Sequence, residues 1–318
     1  FTSFMNDNLD AGVGYFNYRG YIGMSGWNPN NSYNNGPMMP NAVIITCGTG
    51  NFVGGLSTSE AFIRQGTPTE PKGAVTAIGT ATSSTHTMFN NCVNLGVFHG
   101  IFNEGMFNMG GALVRGKLNL YNTYGSTSAT QTENFSHWNN LMGDPGMDVW
   151  TGVPEYMIVE YDNDVSVGSN YFNVNVYDSI GEPLPGAWVT LLGTDDESVF
   201  VTGFTNENGE LTLELDPTYA DSYYFTITAH DFVPYLNEFD VVNSSMFINV
   251  SDITIDDDNG GDSSGNDDGI INPGEDIELR VYLENFGTVT ANAVSVSISC
   301  EQDFVTITDD YESYGNIS

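Results

Sequence analysis

Positive charge is almost absent from this chain. Six lysines and arginines stand against forty-one aspartates and glutamates, leaving a formal net charge of −35. Such a balance repels nucleic acid and anionic membranes and favours cations. Cysteine is scarce too. Cys47, Cys92 and Cys300 show no paired spacing, which excludes a disulfide framework and a CxxC metal site. No run of about eighteen apolar residues occurs, so no helical membrane span is expected. A charged start followed by an apolar signal segment is also missing. P-loop, Rossmann, zinc and Ser-His-Asp signatures are absent as well. The chain opens at Phe1 without an initiator Met and stops at Ser318 inside what reads as a β module, so flanking segments are expected at both ends.

The acidity is unevenly spread. Residues 1–155 hold nine acids and five bases, whereas residues 156–318 hold thirty-two acids and a single base, Arg280. A shift that abrupt marks a domain boundary near residue 155. The acidic half alternates β-branched and aromatic residues with polar ones, a pattern of folded sheet rather than disorder.

Residues 1–155 read as α/β. The segments 14–18 (GYFNY), 41–47 (NAVIITC) and 73–79 (GAVTAIG) are short apolar runs; the second is the continuous β-branched pattern of a parallel strand buried on both faces. Ser57-Thr58-Ser59-Glu60 offers a capping box opening a helix. Segments 85–102 and 110–124 read as helices. Beyond residue 156 the period falls to two, with strands expected near 173–177, 187–192, 198–204, 211–215, 223–229 and 238–242. Asn206-Glu207-Asn208-Gly209 reads as a hairpin-type turn. A second β unit, from about 251, carries the acidic loop 256–275 and strands near 277–285 and 293–299.

Several motifs, in order, resemble one family. GYFNYRGYIGMSGW (14–27), NAVIITCGTGNF (41–52), SEAFIRQG (59–66), KGAVTAIGTATSSTHTMFNN (72–91) and WNNLMGDPGMDVWTG (138–152) are similar to the C-terminal part of the caspase-like catalytic domain of gingipain-type cysteine peptidases. GEPLPGAWVTLLG (181–193), TNENGELTLEL (205–215) and HDFVPY (230–235) look like the sandwich that follows such domains. DDGIINPGEDIELRVYLENFGTVTA (267–291) resembles a further β module of secreted Bacteroidetes-type proteins. The resemblance implies a multi-domain chain: an α/β caspase-like domain over 1–155 with its N-terminal part missing, an immunoglobulin-like β-sandwich over 156–250, and a second, incomplete β-sandwich over 251–318.

Within that resemblance Cys47 takes the nucleophile position, at the end of a strand and followed by Gly48-Thr49-Gly50, with Gly48 in the oxyanion region. The competing reading of Cys47 is a buried apolar cysteine. Family members carry His-Gly after an Asn-Tyr-x-Gly run; here Asn17-Tyr18-Arg19-Gly20 is followed by Tyr21 and Ile22. Tyr21 thus stands at the position of the general base, and a phenol with a pKa of roughly 10 neither takes up a thiol proton at neutral pH nor pairs with a thiolate as imidazolium does. His86 is the alternative base; His99 reads as core or helix surface. Arg19 and Arg64 are scarce cations suited to an acidic ligand or to internal ion pairs.

Asp256, Asp258, Asn266, Asp268 and Glu275 gather hard oxygen donors around glycines, which points to structural calcium; the alternative is a solvated acidic linker. Two functional readings follow. One is a secreted or cell-surface pseudopeptidase with a structural or binding role toward other proteins or surface components, exported by the type IX route the resemblance implies. The other is an active cysteine endopeptidase acting on peptide substrates through Cys47 and an unusual base such as His86. A carbohydrate-binding role for the sandwich aromatics rests on composition alone.

Overall fold

The computed structural model describes every residue except 31, 68, 164 and 196–198. It divides into two compact units, Phe1–Pro154 and Glu155–Ser318. Residues 251–318 fall within the second unit.

The first unit runs α1 (Thr2–Asp10), β1 (Tyr15–Asn17), a 3-10 turn (Ile22–Gly26), β2 (Asn41–Ile44), α2 (Thr58–Ile63), the small ladder of β3 (Gly66–Thr67) and β4 (Glu70–Pro71), β5 (Thr76–Thr80), α3 (Thr87–Glu104), α4 (Met109–Tyr124), α5 (Ala129–Trp138) and β6 (Asn139–Met142). The main sheet has order β1-β2-β5-β6. β1, β2 and β5 are parallel, in register Tyr15 to Asn41 and Asn41 to Thr76, and β6 closes the edge antiparallel. All four residues of β2 are buried. The pleat sends its side chains alternately to two cores. Val43 and Ile45 meet Val93, Val97, Leu113 and Phe135 on the α3–α5 side. Ala42 and Ile44 meet Leu9, Phe16, Trp27 and Phe62 on the other. α3 and α4 approach closely because Gly96 faces Gly116; a Cβ on Gly96 would lie 2.8 Å from the Gly116 Cα.

The capping box forms as the sequence reads: Ser57 accepts from the Glu60 amide and Glu60 accepts from the Ser57 amide. The strand expected over 41–47 is shorter. It stops at Ile44 because the Thr46 N–H turns back onto the Ile44 carbonyl at 2.8 Å, a two-residue closure that ends the ladder. Cys47 therefore sits in a turn rather than on the strand.

The second unit continues with β7 (Ile158–Tyr161), β8 (Val165–Ser166), β9 (Tyr171–Tyr177), β10 (Trp188–Gly193), β11 (Phe200–Phe204), β12 (Glu210–Glu214), β13 (Asp221–Thr228), β14 (Tyr235–Val242), β15 (Ile248–Asp256), β16 (Glu278–Asn285), β17 (Ala291–Ser297) and β18 (Tyr311–Ile317). Ser198, where a strand was expected to begin, lies outside the described residues. Sheets β11-β10-β13-β14-β8 and β12-β9-β7 enclose one core. Alternation puts Phe172, Val174 and Val176 of β9 against Val189, Leu191, Phe225 and Phe239, with Phe172 stacked on Phe239 at 4.9 Å. The turn at 206–209 forms around Asn206, whose Oδ1 accepts from the Asn208 and Glu210 amides. It is not a hairpin, however, since β11 and β12 on either side of it belong to different sheets. The remaining strands pair as β15-β16 and β17-β18.

Candidate active site

The turn carrying Cys47 is held almost entirely by neutral groups. Gly48 adopts φ 75°, which a residue bearing Cβ rarely does. Its N–H donates to the Thr82 carbonyl at 2.8 Å, and the Gly50 N–H donates to Thr80 O at 3.0 Å. The Thr49 hydroxyl donates to Ile44 O at 2.6 Å, and the Thr80 N–H donates to that hydroxyl at 3.1 Å. The Ser59 N–H and hydroxyl both donate to the Thr49 carbonyl. Backbone packs directly on backbone: a Cβ on Gly50 would lie 2.6 Å from the Gly79 carbonyl carbon. The turn is thereby fastened to the end of β5, and Cys47 is left partly exposed.

The segment after β1 lies against this turn. The Tyr18 N–H donates to Val43 O at 2.9 Å, the Thr46 hydroxyl donates to Gly20 O at 3.0 Å, and the Gly23 N–H donates to Cys47 O at 3.3 Å. Gly23, Met24 and Ser25 have φ of 57°, 53° and 56°. Left-handed backbone costs roughly 1–2 kcal/mol for each residue with a Cβ. Here it is offset by complete burial of Met24 and by the 2.8 Å hydroxyl pair of Tyr18 and Ser25. The motif resemblance is thus carried through into geometry: residues 20–23 and 46–47 are neighbours.

Among the described residues no hydrogen bond joins the side chains of Tyr21 and Cys47. Tyr21 is 75% exposed, and its amide donates to the Tyr18 hydroxyl. The Cys47 sulfur instead meets the Thr85 hydroxyl, Sγ to Oγ1 2.7 Å. His86 follows directly, but its Nδ1 accepts the Met88 N–H at 3.2 Å and so caps α3, with the ring edge-on to Phe89. A neutral imidazole accepting at Nδ1 carries its proton at Nε2, which leaves no lone pair facing outward for a thiol proton. His99 lies on the surface of α3 beside Glu104, Nδ1 to Oε1 3.3 Å.

Of the oxyanion donors, Gly48 is committed to Thr82 and thus serves the fold. The Cys47 N–H has no acceptor among the described residues and is the donor left beside the sulfur. One neighbour, Thr85, escaped the sequence reading. Arg19, read there as a cation for an acidic ligand or an internal ion pair, donates from Nε and Nη2 to Asn91 Oδ1 on α3 at 3.0 and 2.7 Å. Burial pushes the Arg19 guanidinium below its ordinary value, and Cys47 acts on it in the opposite direction, so the two groups lie within electrostatic range. Arg64 faces Glu60, but Arg19 has no carboxylate partner among the described residues.

In the acidic loop the carboxylates fold the backbone. Asp257, nearly fully buried, accepts from the Asp268 and Gly269 amides, both at 3.1 Å. Asp256 pairs with Arg280 at 2.5 Å. Asp258 accepts from Gly260 and Ser263, Asn266 from the Asp268 amide, Asp268 from the Ile270 amide, and Glu275 from the Asn272 amide. Among the described residues no three acidic, His or Cys side chains converge on one point. Asp257, which the sequence reading passed over, is the residue that organises the loop.

Residues 1–150 match the family model for peptidase family C25. Among solved structures, the chain is similar to the Arg-specific cysteine proteinase gingipain R (RgpB), with TM-score 0.60 and 19% identity over 76% of this chain and 56% of that one. It is similar to the complex of Porphyromonas gingivalis RgpB pro- and mature domains at TM-score 0.59 and 19% identity, covering 76% and 57%. A structure described as a protease gives TM-score 0.57 at 16% identity, covering 73% and 55%. The chain therefore spans just over half the length of these relatives, and at such identity the likeness is one of fold. No protein of curated function matches it.

Proposed function

We propose that the domain over residues 1–150, which matches the family model for peptidase family C25, is a pseudopeptidase: a gingipain-type scaffold kept as a binding or structural module. The observation that carries the proposal is the company of the Cys47 sulfur, a threonine hydroxyl rather than an imidazole. Peptide hydrolysis by a thiol needs a group that takes up its proton and then delivers one to the leaving amine. Threonine does neither at neutral pH, and Tyr21 projects into solvent. Family likeness supports placement outside the cell or on its surface.

The adjacency of His86 to Thr85 favours the active-endopeptidase alternative, in which the imidazole leaves its cap and turns toward the sulfur. Incubating the full chain with a complex peptide mixture separates the two. Mass spectrometry is expected to find no new termini beyond those given by Cys47→Ala. Cleavage that disappears in Cys47→Ala and in His86→Gln would establish the alternative instead.

For the acidic loop the proposal is structural calcium, supported by its dense oxygen donors around Asp257. The side chains as placed form no ready coordination sphere, and no step of the account depends on the ion. Calorimetric titration with Ca²⁺ that gave neither heat nor a change in melting temperature would retire it. An immunoglobulin-like assignment for the sandwich of the second unit is likewise proposed, on its two-sheet core and motif likeness.

A further inference from the structure

The surroundings of Cys47 have an unusual charge for this chain. Residues 11–59 and 71–103 contain no aspartate or glutamate, in a protein with forty-one of them. Those two stretches supply β1, the 3-10 turn, β2, the Cys47 turn, β5 and the first four turns of α3. Three of the four flanking acids are already engaged: Asp10 accepts from the Asn34 amide, Glu60 caps α2, and Glu104 binds Arg115. Into this acid-free region projects a half-buried guanidinium. Arg19 is held by a neutral amide oxygen that takes up Nε and one Nη2 hydrogen, leaving the Nη1 donors without an acceptor among the described residues.

A buried cation is costly unless it meets an anion. Selection of a chain so rich in carboxylates has supplied none here, though an internal ion pair is the ordinary fate of an arginine. The position is fixed at both ends. Tyr18 is bonded to β2, Gly20 to Thr46, and the guanidinium to α3. The cation is therefore preorganised within electrostatic range of Cys47, whose N–H has no acceptor among the described residues.

We propose that the surface around Cys47 and Arg19 binds an acidic peptide, with Arg19 gripping a side-chain carboxylate of the ligand through its free edge. This deepens the reading of the domain as a binding module and rests on it. The fixed planar fork suits a carboxylate, and the acid-free stretches that surround it in sequence lessen the repulsion the rest of the chain would impose. No bond is made or broken.

The test is retention of a randomised hexapeptide pool, blocked at both termini, on the immobilised full chain, read by mass spectrometry. Asp and Glu are expected to be enriched at one position by about tenfold over Asn and Gln. Arg19→Gln should abolish the enrichment, and Arg19→Lys, which keeps the charge without the fork, should retain part of it. No enrichment on the unsubstituted chain, or equal enrichment with Arg19→Gln, would overturn the proposal. Because the first comparison needs no substitution, a misfolded variant does not shield it. Cleaved peptides in the eluate would defeat the pseudopeptidase reading while leaving the acid preference legible.

Discussion

Two turns of this molecule solve the same problem with opposite chemistry. Each follows a strand and must satisfy backbone N–H and C=O groups with no ladder to join. The turn after β2 does so with carbonyls and the hydroxyls of Thr46, Thr49 and Ser59. The loop after β15 does so with the carboxylates of Asp257, Asp258, Asp268 and Glu275. Neutral fastening leaves the first turn without carboxylates of its own. Fastening by carboxylates gathers negative charge in the second and makes it attractive to cations. Where a chain spends its charge is thus part of how it shapes a site.

The sharpest way to break this contrast is steric. Gly79→Ala places a Cβ 2.8 Å from both the Gly50 Cα and the Ser59 Oγ. Overpacking against backbone should cost the first unit about 2–3 kcal/mol, seen as a lowered melting transition. In the second turn the effect should be electrostatic and local. Asp257→Ala strips the acceptors from the Asp268 and Gly269 amides. The loss should be about 1–3 kcal/mol, read as faster hydrogen exchange at those two amides.

Thr49→Val should fall between local and global. It removes the hydroxyl shared by Ile44 O and the Thr80 N–H, and about 1 kcal/mol is expected, with faster exchange at the Thr80 amide. The smallest effect is the acid limb of the α2 cap. Hydrogen bonds from Ser57 hold the Glu60 carboxyl below its ordinary value of 4.5. Its contribution is therefore complete above 4.5 and fades as pH falls through the lower folded value. Glu60→Gln should flatten that limb in exchange at the Ser57 amide while leaving neutral behaviour unchanged.

Much of the first unit was legible because its signals are local. The β-branched run of β2, the capping box at Ser57 and the helices after Thr85 and Asn108 follow from spacing alone. The closeness of residues 20–23 to Cys47 followed from motif order. Three things did not. The early end of β2 depends on a two-residue closure that the apolar run conceals. The pairing of β11 and β12 into separate sheets depends on a core made from residues far apart in sequence. Thr85, Arg19 and Asp257 owe their roles to partners thirty-eight, seventy-two and eleven residues away. Arg19 was legible as a scarce cation, but its hold on α3 was not; the long acid-free stretches on either side of Cys47 add to that signal.

The central claim is that no imidazole activates Cys47. Its most direct measurement is the pH profile of Cys47 alkylation by iodoacetamide in a Cys300→Ser background, followed by peptide mass spectrometry. The account expects one ionisation limb, superimposable for the chain with and without His86→Gln. A second reactive limb on the acid side, present with His86 and lost with His86→Gln, would contradict it.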